Sequence, residues 1–396
     1  MTSKLGWQID VDALVQVDAI PYAEASVDEV DPATRLPLNE ETIDVRRALL
    51  RVAAHKDGVF GSLELEANDT AGPTARLLGA FVGWSLPAAA ATDPPLVTVA
   101  TGLMLIPFGA EVPTNARDKT FLEVPTWAQA MFPGSYDGGA QARGAFGFAR
   151  WVVAVMDGAP TADAQWKGRD PSGSFDVLGR LGAVLDLPGQ PGRPHLELGV
   201  SALTGKALHP GTPPTKDTVQ WVDDNQNGTV DPGEIQVIAG TPGMPSIPFS
   251  HSALGADASA RWCLQRLGRG VAWGELAYGT NMDRSVVVAD PVDQLRDLRE
   301  LGLTLGVLQD ATPWAQVGAR YDRYNADRDA QQQAGVTAVR THLVYSTLAL
   351  LAAARWGTSK LVLEYDHRTN PIGRDDTGLP ATRGDDRLAL RAEVRF

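Results

Sequence analysis

Six residues in one short stretch have the oxygen atoms and the spacing that a divalent cation needs. They lie in residues 223–234, a segment rich in Asp, Asn and Gly. Gly228 stands at the sixth position, where a twelve-residue EF-hand loop makes its sharp turn, and Glu234 stands at the twelfth, where a bidentate carboxylate closes the shell. The pattern therefore predicts a Ca²⁺ site with ligands Asp223, Asn225, Asn227, Thr229 (through its carbonyl), Asp231 (through water) and Glu234.

The flanks of this stretch limit what such a site can do. Pro210 and Pro214 precede it, and Pro242 and Pro248 follow it. The two helices that a calcium sensor reorients are therefore not expected. We predict instead a structural ion that stiffens a long loop, a role for which weak affinity is sufficient. The alternative is an Asn- and Asp-rich turn that binds no ion.

Other chemistry is sparsely supported. His251 and Ser252 form the closest His/Ser pair, but no carboxylate is positioned beside them, and we interpret His251 as an exposed loop residue. Nucleophile elbows, zinc-protease helices and phosphate loops are missing from the sequence, so we do not expect an enzyme. The lone Cys263 excludes an internal disulfide framework. The net charge of −13 argues against nucleic acid as a partner.

The two ends of the chain carry the clearest structural signals. Residues 388–396 are apolar at every even position and end on Phe396, and residues 5–19 alternate in the same way. A final amphipathic strand that ends on an aromatic residue is typical of outer-membrane β-barrels. No run approaches the roughly 18 to 20 apolar residues of a spanning helix. The two terminal strands predict a sheet closed on itself.

Period-two runs bounded by Gly, Pro, Asp or Asn predict sixteen strands. They cover residues 5–19, 43–54, 59–68, 75–86, 96–106, 139–147, 149–157, 174–186, 195–203, 258–267, 271–280, 295–309, 313–325, 337–352, 359–367 and 387–396. Connections after even strands are short, and most after odd strands are long, at residues 20–42, 107–138, 157–173, 204–257 and 367–386. This alternation favours one all-β domain over residues 1–396, a transmembrane antiparallel β-barrel, over a soluble all-β fold.

The polar series of each strand is expected to face the lumen, because the apolar series must face lipid. For any single polar residue the simple alternative is a cross-strand ion pair that keeps the wall wetted. As rings, such side chains bias which ions pass. The predicted pore-lining residues are Gln8, Asp10, Asp12, Arg47, Arg51, Arg180, Glu300, Arg320, Asp322, Glu364, Arg391 and Arg395.

The long connection at residues 107–138 is the candidate constriction loop. It holds an amphipathic stretch at residues 127–132 whose apolar side chains must be buried somewhere. The lumen is one such place, and the top of the barrel is the alternative. The charged residues of this loop are Glu111, Arg117, Asp118, Lys119 and Glu123.

Several short motifs resemble the phosphate-selective (O/P-type) porins. Those at the strand-to-loop passage and in the later strands are residues 104–111, 120–125, 132–134, 299–306, 314–324 and 361–367, with the terminal Phe396. The resemblance implies an outer-membrane porin of a Gram-negative bacterium, surrounded by lipid and commonly homotrimeric. It also implies passage of small hydrophilic solutes or ions. Because no secretion signal precedes the first strand, we expect this chain to be the mature form.

The charges do not favour phosphate as the solute. Phosphate-binding members of that family use lysines and arginines along the loop and lumen, whereas here Arg117 and Lys119 face Asp118 and two glutamates. We therefore expect general diffusion with a preference for cations. The alternative function is a surface adhesion or assembly platform whose large loops bind a partner.

Overall fold

The computed structural model describes residues 6–23, 31–35, 41–70, 72–86, 95–166, 168–186, 195–334, 337–376 and 378–396. Within them, sixteen antiparallel strands form one closed barrel, and the first strand pairs with the last. The strands are β1 Gln8–Ala23, β2 Thr42–Lys56, β3 Val59–Asn68, β4 Thr74–Leu86, β5 Val97–Leu105, β6 Tyr136–Phe146, β7 Ala149–Met156, β8 Asp176–Asp186, β9 His195–His209, β10 Ile247–Leu264, β11 Gly268–Thr280, β12 Arg299–Asp310, β13 Ala315–Asn325, β14 Val344–Trp356, β15 Ser359–Thr369 and β16 Arg387–Arg395. The predicted all-β, sixteen-stranded antiparallel barrel is confirmed.

The outer surface of the barrel is apolar and the inner surface is polar. In β15, Leu363 and Tyr365 are exposed on the outside, whereas Glu364 and Asp366 are buried inside. Successive side chains of a strand point to opposite faces, so this alternation continues around the barrel. In the described residues, no helix is long and apolar enough to cross a membrane.

Two strand boundaries were predicted wrongly at the long-loop end. β9 continues to His209 and β10 begins at Ile247, so the loop expected at residues 204–257 is confined to 210–246. The added part of β10 turns Ser250 and Ser252 outward. A strand that rises above the apolar band meets water on its outer face, so its sequence need not alternate there.

The start of β14 was also predicted wrongly. Thr337–Arg340 pairs with Gln331–Ala334 in a separate small hairpin, and β14 itself begins at Val344. A short alternating run can pair locally as well as with a barrel neighbour, and its sequence does not distinguish the two. Parts of the connections predicted around residues 20–42, 87–94 and 187–194 lie outside the described residues.

The long loops lie at one end of the barrel. After odd-numbered strands the connections include residues 106–135 (the inner loop), 157–175, 210–246 (the outer loop), 281–298, 326–343 and 370–386. Residues 69–73, after β3, are a short exception. The first described residue, Gly6, the C-terminal Phe396 and the described turns, such as 57–58 and 357–358, lie at the opposite end.

The inner loop lies inside the barrel and forms its main apolar core. Phe108, Trp127, Met131 and Phe132 are almost fully buried there, together with wall residues such as Tyr324. The short helix α1, Thr126–Met131, packs against β12 and β13. The lumen is therefore partly filled by the chain itself.

Candidate functional site

A β-bulge in β2 turns two consecutive arginines into the lumen. Gln16 pairs with Arg47 and Val17 pairs with Val45, so Arg46 is the extra residue. A bulge reverses the phase of side-chain alternation. Both Arg46 and Arg47 therefore point toward the inner loop, where they meet Glu123. Period-two reading assigned only Arg47 to the lumen.

Glu123 of the inner loop lies among three guanidinium groups. Its carboxylate is 2.9 Å from Arg46 Nε, 3.2 Å from Arg391 Nη2 and 3.8 Å from Arg47 Nη2. Burial by itself would raise the pKa of Glu123, but Arg47, Arg46 and Arg391 lower it below its ordinary value. Glu123 therefore stays ionised and holds the loop against this wall.

The closing seam of the barrel is part of the same cluster. Arg391 of β16 donates to both carboxylate oxygens of Asp18 in β1, at 2.6 and 2.7 Å, and its side chain is only 4% exposed. Its third nitrogen, Nη1, donates to the carbonyl of Leu122 at 2.8 Å. One arginine thus joins the first strand, the last strand and the inner loop.

The opposite wall holds the start of the inner loop by its backbone. The amides of Ala110 and Glu111 donate to Glu275 of β11 at 3.1 and 2.9 Å. Glu111 in turn accepts a hydrogen bond from Trp273 Nε1 at 2.7 Å. Because buried backbone amides need acceptors, Glu275 is a structural requirement for this path of the chain.

The helical half of the inner loop is fixed by β12, β13 and β15. Trp127 Nε1 donates to Thr304 Oγ1 at 2.8 Å, and Thr126 Oγ1 donates to Asp322 at 3.2 Å. The amide of Leu122 donates to Glu364 at 3.0 Å. Arg320 donates to the carbonyl of Glu123 at 2.6 Å.

The middle of the inner loop contacts β1, β3, β15 and β16. Arg117 pairs with both Asp12 and Glu64, and its carbonyl accepts a hydrogen bond from Arg395. Lys360 donates to the carbonyl of Lys119 at 3.1 Å. Burial lowers the pKa of Lys119 to about 8, against the opposing effect of Glu111.

The other predicted lumen residues contact mainly the wall. Gln8 and Asp10 lie beside His55, and Asp10 is 3.7 Å from it. The remaining contacts join Arg51 to Ser62 at 3.1 Å, Arg180 to Asp257, and Glu300 to the amide of Met282 at 2.9 Å. Asp118 of the inner loop lines a cavity near Arg395.

Sequence reasoning missed two important groups of this site. Arg46 breaks the period-two rule and carried no local signal. Glu275 does obey that rule, because it alternates with Leu276 on β11. As a carboxylate on the inward series of that strand, it could have been found from the pattern alone.

Cavities of different charge flank the inner loop. One of about 670 Å³ lies beside β1–β4, and its charged lining residues are Asp18, Asp44, Arg46, Arg47, Glu66, Arg76, Lys119, Glu123 and Arg387. One of about 200 Å³ lies beside β13–β15, where carboxylates outnumber arginines. Its charged lining residues are Glu123, Arg320, Asp322, Glu364, Asp366, Arg368 and Asp385.

The interpretation of His251 as an exposed loop residue is wrong. His251 lies on β10, is buried, and is 2.7 Å from Asp176 and 2.7 Å from Arg284. Ser252 faces the opposite side of the same strand. The pair therefore cannot act as nucleophile and base.

Comparisons with known proteins agree with this architecture. No protein-family model matches the chain, and no curated protein matches it. Solved structures do match over nearly full length. The outer-membrane channel DcaP of Acinetobacter baumannii is 11% identical, with a TM-score of 0.57 over 100% of this chain and 99% of that one. OprB of Pseudomonas putida is 13% identical, with a TM-score of 0.56 over 98% and 94%.

A third similar structure is the anion-selective porin from Comamonas acidovorans, 9% identical with a TM-score of 0.53 over 98% of this chain and 99% of that one. The chain has the outer-membrane porin fold. At such low identity, the similarity establishes the architecture of the barrel, and the solute has to be argued from the residues of the lumen.

The predicted calcium loop in the outer loop folds around its own acidic side chains. Asp223 accepts from the amide of Gly228 at 2.8 Å, and Asp231 accepts from the side-chain amides of Asn225 and Asn227 at 2.7 and 2.6 Å. These amides lower the pKa of Asp231. Glu234 closes the loop by accepting from the amide of Asp231 at 3.0 Å.

The donor set fits Ca²⁺ in kind, since it offers carboxylate and amide oxygens around one turn. Gly228 has a φ of 72°, as the sixth position of such a loop requires. Rotating the amides of Asn225 and Asn227 would present oxygen in place of nitrogen to an ion beside Asp231.

Proposed function

We propose that this protein is an outer-membrane porin that lets small hydrophilic solutes or ions diffuse passively. The observation that carries the proposal is a charged loop folded inside a closed barrel with an apolar outer surface. The similar structures described above, a channel and a porin by name, share the barrel fold. A barrel of sixteen strands leaves an aqueous lumen, and the inner loop narrows it.

The lumen charges support general diffusion with a cation preference. The larger cavity carries basic and acidic side chains in nearly equal number, so the cation preference rests on the smaller cavity, where carboxylates outnumber arginines. The relation to the O/P-type porins rests on the short motifs alone, and we do not propose phosphate specificity. We also propose that the lumen residues named above and the charged residues of the inner loop set this preference.

Planar-bilayer recording of the purified protein tests the channel. Stepwise currents are expected, and in a salt gradient the reversal potential should have the sign of a cation preference. A protein that inserts without conducting would refute the porin. A strong anion preference would refute only the selectivity.

We further propose that residues 223–234 bind a structural Ca²⁺ ion. Calcium should protect the outer loop from protease, because the ion would tie Asp223 and Glu234 to the same centre. Cutting within residues 210–246 should rise in the presence of a chelator, and Asp223→Asn should be cut equally with and without calcium. Equal cutting of the unaltered protein in both conditions would sink the claim.

A homotrimer is the assembly we propose. A similar structure is the trimer form of OmpT of Vibrio cholerae, with a TM-score of 0.55 at 8% identity. The outer wall of β3–β8 carries an apolar depression formed partly by small residues such as Ala140 and Ala142. Crosslinking in native membranes should yield a product that contains three chains. Recovery of single chains alone would contradict the assembly.

One observation favours the platform function as a second candidate. In the hairpin Thr218–Trp221 with Ile235–Ile238, Val219 pairs with Val237 and Trp221 pairs with Ile235 on one face. All four side chains are exposed. A protein that conducts poorly but binds a partner through this apolar face would support the platform over the channel.

A further inference from the structure

A histidine and two aspartates converge where the outer loop leaves the barrel. His209 is the last residue of β9, and Asp290 and Asp293 belong to residues 281–298. His209 Nδ1 lies 2.7 Å from Asp290 Oδ2 and 3.9 Å from Asp293 Oδ1, and the three donor atoms lie within 4.8 Å of one another. We propose that they bind a divalent transition-metal ion of the Zn²⁺ class.

The two carboxylates are positioned by one turn of chain. Asp290 precedes the one-turn helix α2, Pro291–Gln294, and its Oδ1 accepts from the amides of Val292 and Asp293 at 3.0 and 3.4 Å. The same carboxylate is thereby held with Oδ2 directed at His209. Hydrogen bonds of this kind, to the atom that does not bind, orient the ligands of metal sites.

The type and spacing of the donors favour zinc over calcium. Zn²⁺ binds imidazole nitrogen and carboxylate oxygen at about 2.0–2.2 Å, which places tetrahedral donors roughly 3.4 Å apart. The observed 2.7 and 3.9 Å fall on either side of that value. Ca²⁺ needs six to eight oxygens, so this site and residues 223–234 would select different ions.

Binding requires one tautomer of His209. In the tautomer that carries its proton on Nε2, the lone pair of Nδ1 is free to bind the ion. Water completes the coordination. The side chain of His209 is 7% exposed and that of Asp293 is 63% exposed, so the ion enters from the Asp293 side.

The other end of β9 provides a matched contrast. His195 also has two carboxylate neighbours, Asp186 at 2.8 Å and Glu197 at 2.9 Å. These contact opposite ring nitrogens, Nδ1 and Nε2, and therefore point apart. One ion cannot reach both, so His195 serves as the control histidine.

The ion would connect the base of the outer loop to residues 281–298. This follows from the positions of its ligands, since His209 ends β9 and α2 packs against β10. Zinc should therefore protect residues 281–298 from protease, an effect that calcium alone should not produce.

Calorimetric titration of ZnCl₂ into the refolded full chain tests the proposal, with Ca²⁺ present throughout to occupy residues 223–234. One Zn²⁺ per chain is expected. X-ray absorption of the loaded protein should show nitrogen and oxygen donors without sulfur, which excludes Cys263. His209→Gln and Asp293→Asn should each weaken binding about tenfold or more, whereas His195→Gln should bind like the unaltered chain.

Asp293→Asn keeps the test decisive if His209→Gln fails to fold, because Asp293 is exposed and its replacement should not disturb folding. The heat-dependent gel migration of a folded barrel checks that each variant has folded. Absence of binding, a sulfur donor, full affinity in Asp293→Asn, or equal weakening by His195→Gln would each overturn the proposal.

Discussion

The inner loop and the outer loop leave the same end of the barrel and differ in almost every physical respect. Trp127 of the inner loop is fully buried, whereas Trp221 of the outer loop is 46% exposed. Both indole N–H groups donate a hydrogen bond, the first to Thr304 of the wall and the second to Glu234 of its own loop. The barrel wall supplies the hydrogen-bond acceptor for the inner loop, whereas the outer loop supplies its own.

The difference shows where the backbone N–H groups of each loop find their hydrogen-bond acceptors. Amides of the inner loop donate to wall carboxylates such as Glu275 and Glu364. Amides of the outer loop donate to Asp223 and Asn227 within the same turn. Since buried amides need partners, the first path depends on the closed barrel. The second can form around local side chains and is therefore placed to respond to an ion.

Loop removal should give the largest contrast. Backbone hydrogen bonds join the two ends of each loop, between Ile106 and Ser135 and between Thr212 and Met244. A short Gly-Ser linker can therefore replace residues 107–134 or 213–243. Removal of the inner loop should raise single-channel conductance severalfold, because it frees the lumen. Removal of the outer loop should leave conductance unchanged. Equal conductance of the two variants would show that the inner loop does not limit flow.

A single carboxylate in each loop provides the next contrast. Glu123→Gln removes the negative charge among Arg46, Arg47 and Arg391, so the permeability ratio should move toward anions by about two- to threefold. Glu234→Gln in the outer loop should not move it. Reversal potentials in a salt gradient measure both, and a shift of the same size in Glu234→Gln would contradict the assignment of Glu123 to the constriction.

The two tryptophans compare the stability of the loops. Trp127→Phe leaves Thr304 without its buried partner and should cost about 1–3 kcal/mol of unfolding free energy. Trp221→Phe should cost less than about 0.5 kcal/mol, as exposed substitutions usually do. Urea unfolding in lipid vesicles measures both values. A larger loss of unfolding free energy in Trp221→Phe would mean that the outer loop packs against another group in the membrane-inserted protein.

The smallest expected effect is a pH dependence of selectivity. Lys119 has its pKa lowered to about 8 by burial, so it is charged below that pH and neutral above it. Raising the pH from about 7 to about 9 should therefore shift the reversal potential toward cations. Lys119→Gln should abolish the shift, and Lys216→Gln in the outer loop should preserve it. A shift retained in Lys119→Gln would assign it to another group.

Much of the barrel was predictable because its rule is local. Lipid on one side and water on the other impose alternation on each strand separately, so the strands were found and Arg391 was assigned inward on the same series that Asp18 occupies across the seam. The alternation rule failed where the outer face of a strand does not contact lipid. Above the apolar band β10 had no need to alternate, so its first eleven residues, including His251, were taken for loop.

The candidate site was less predictable. Arg46 reaches Glu123 only because a bulge shifts the register of β2 against β1, and nothing in the local sequence marks it. The calcium motif could be predicted from the sequence because all of its proposed ligands lie within residues 223–234. The cluster of His209, Asp290 and Asp293 was not, because it joins residues far apart in the chain.

The sequence by itself determined the class of fold, the facing of most strands and the composition of each loop, since those properties depend on neighbours a few residues away. The tertiary structure decided the path of the inner loop, the three arginines around Glu123 and the convergence at His209. The physical reason is closure. Only when β1 meets β16 do strands from the whole chain enclose one lumen, and only there do distant charges and amides become partners.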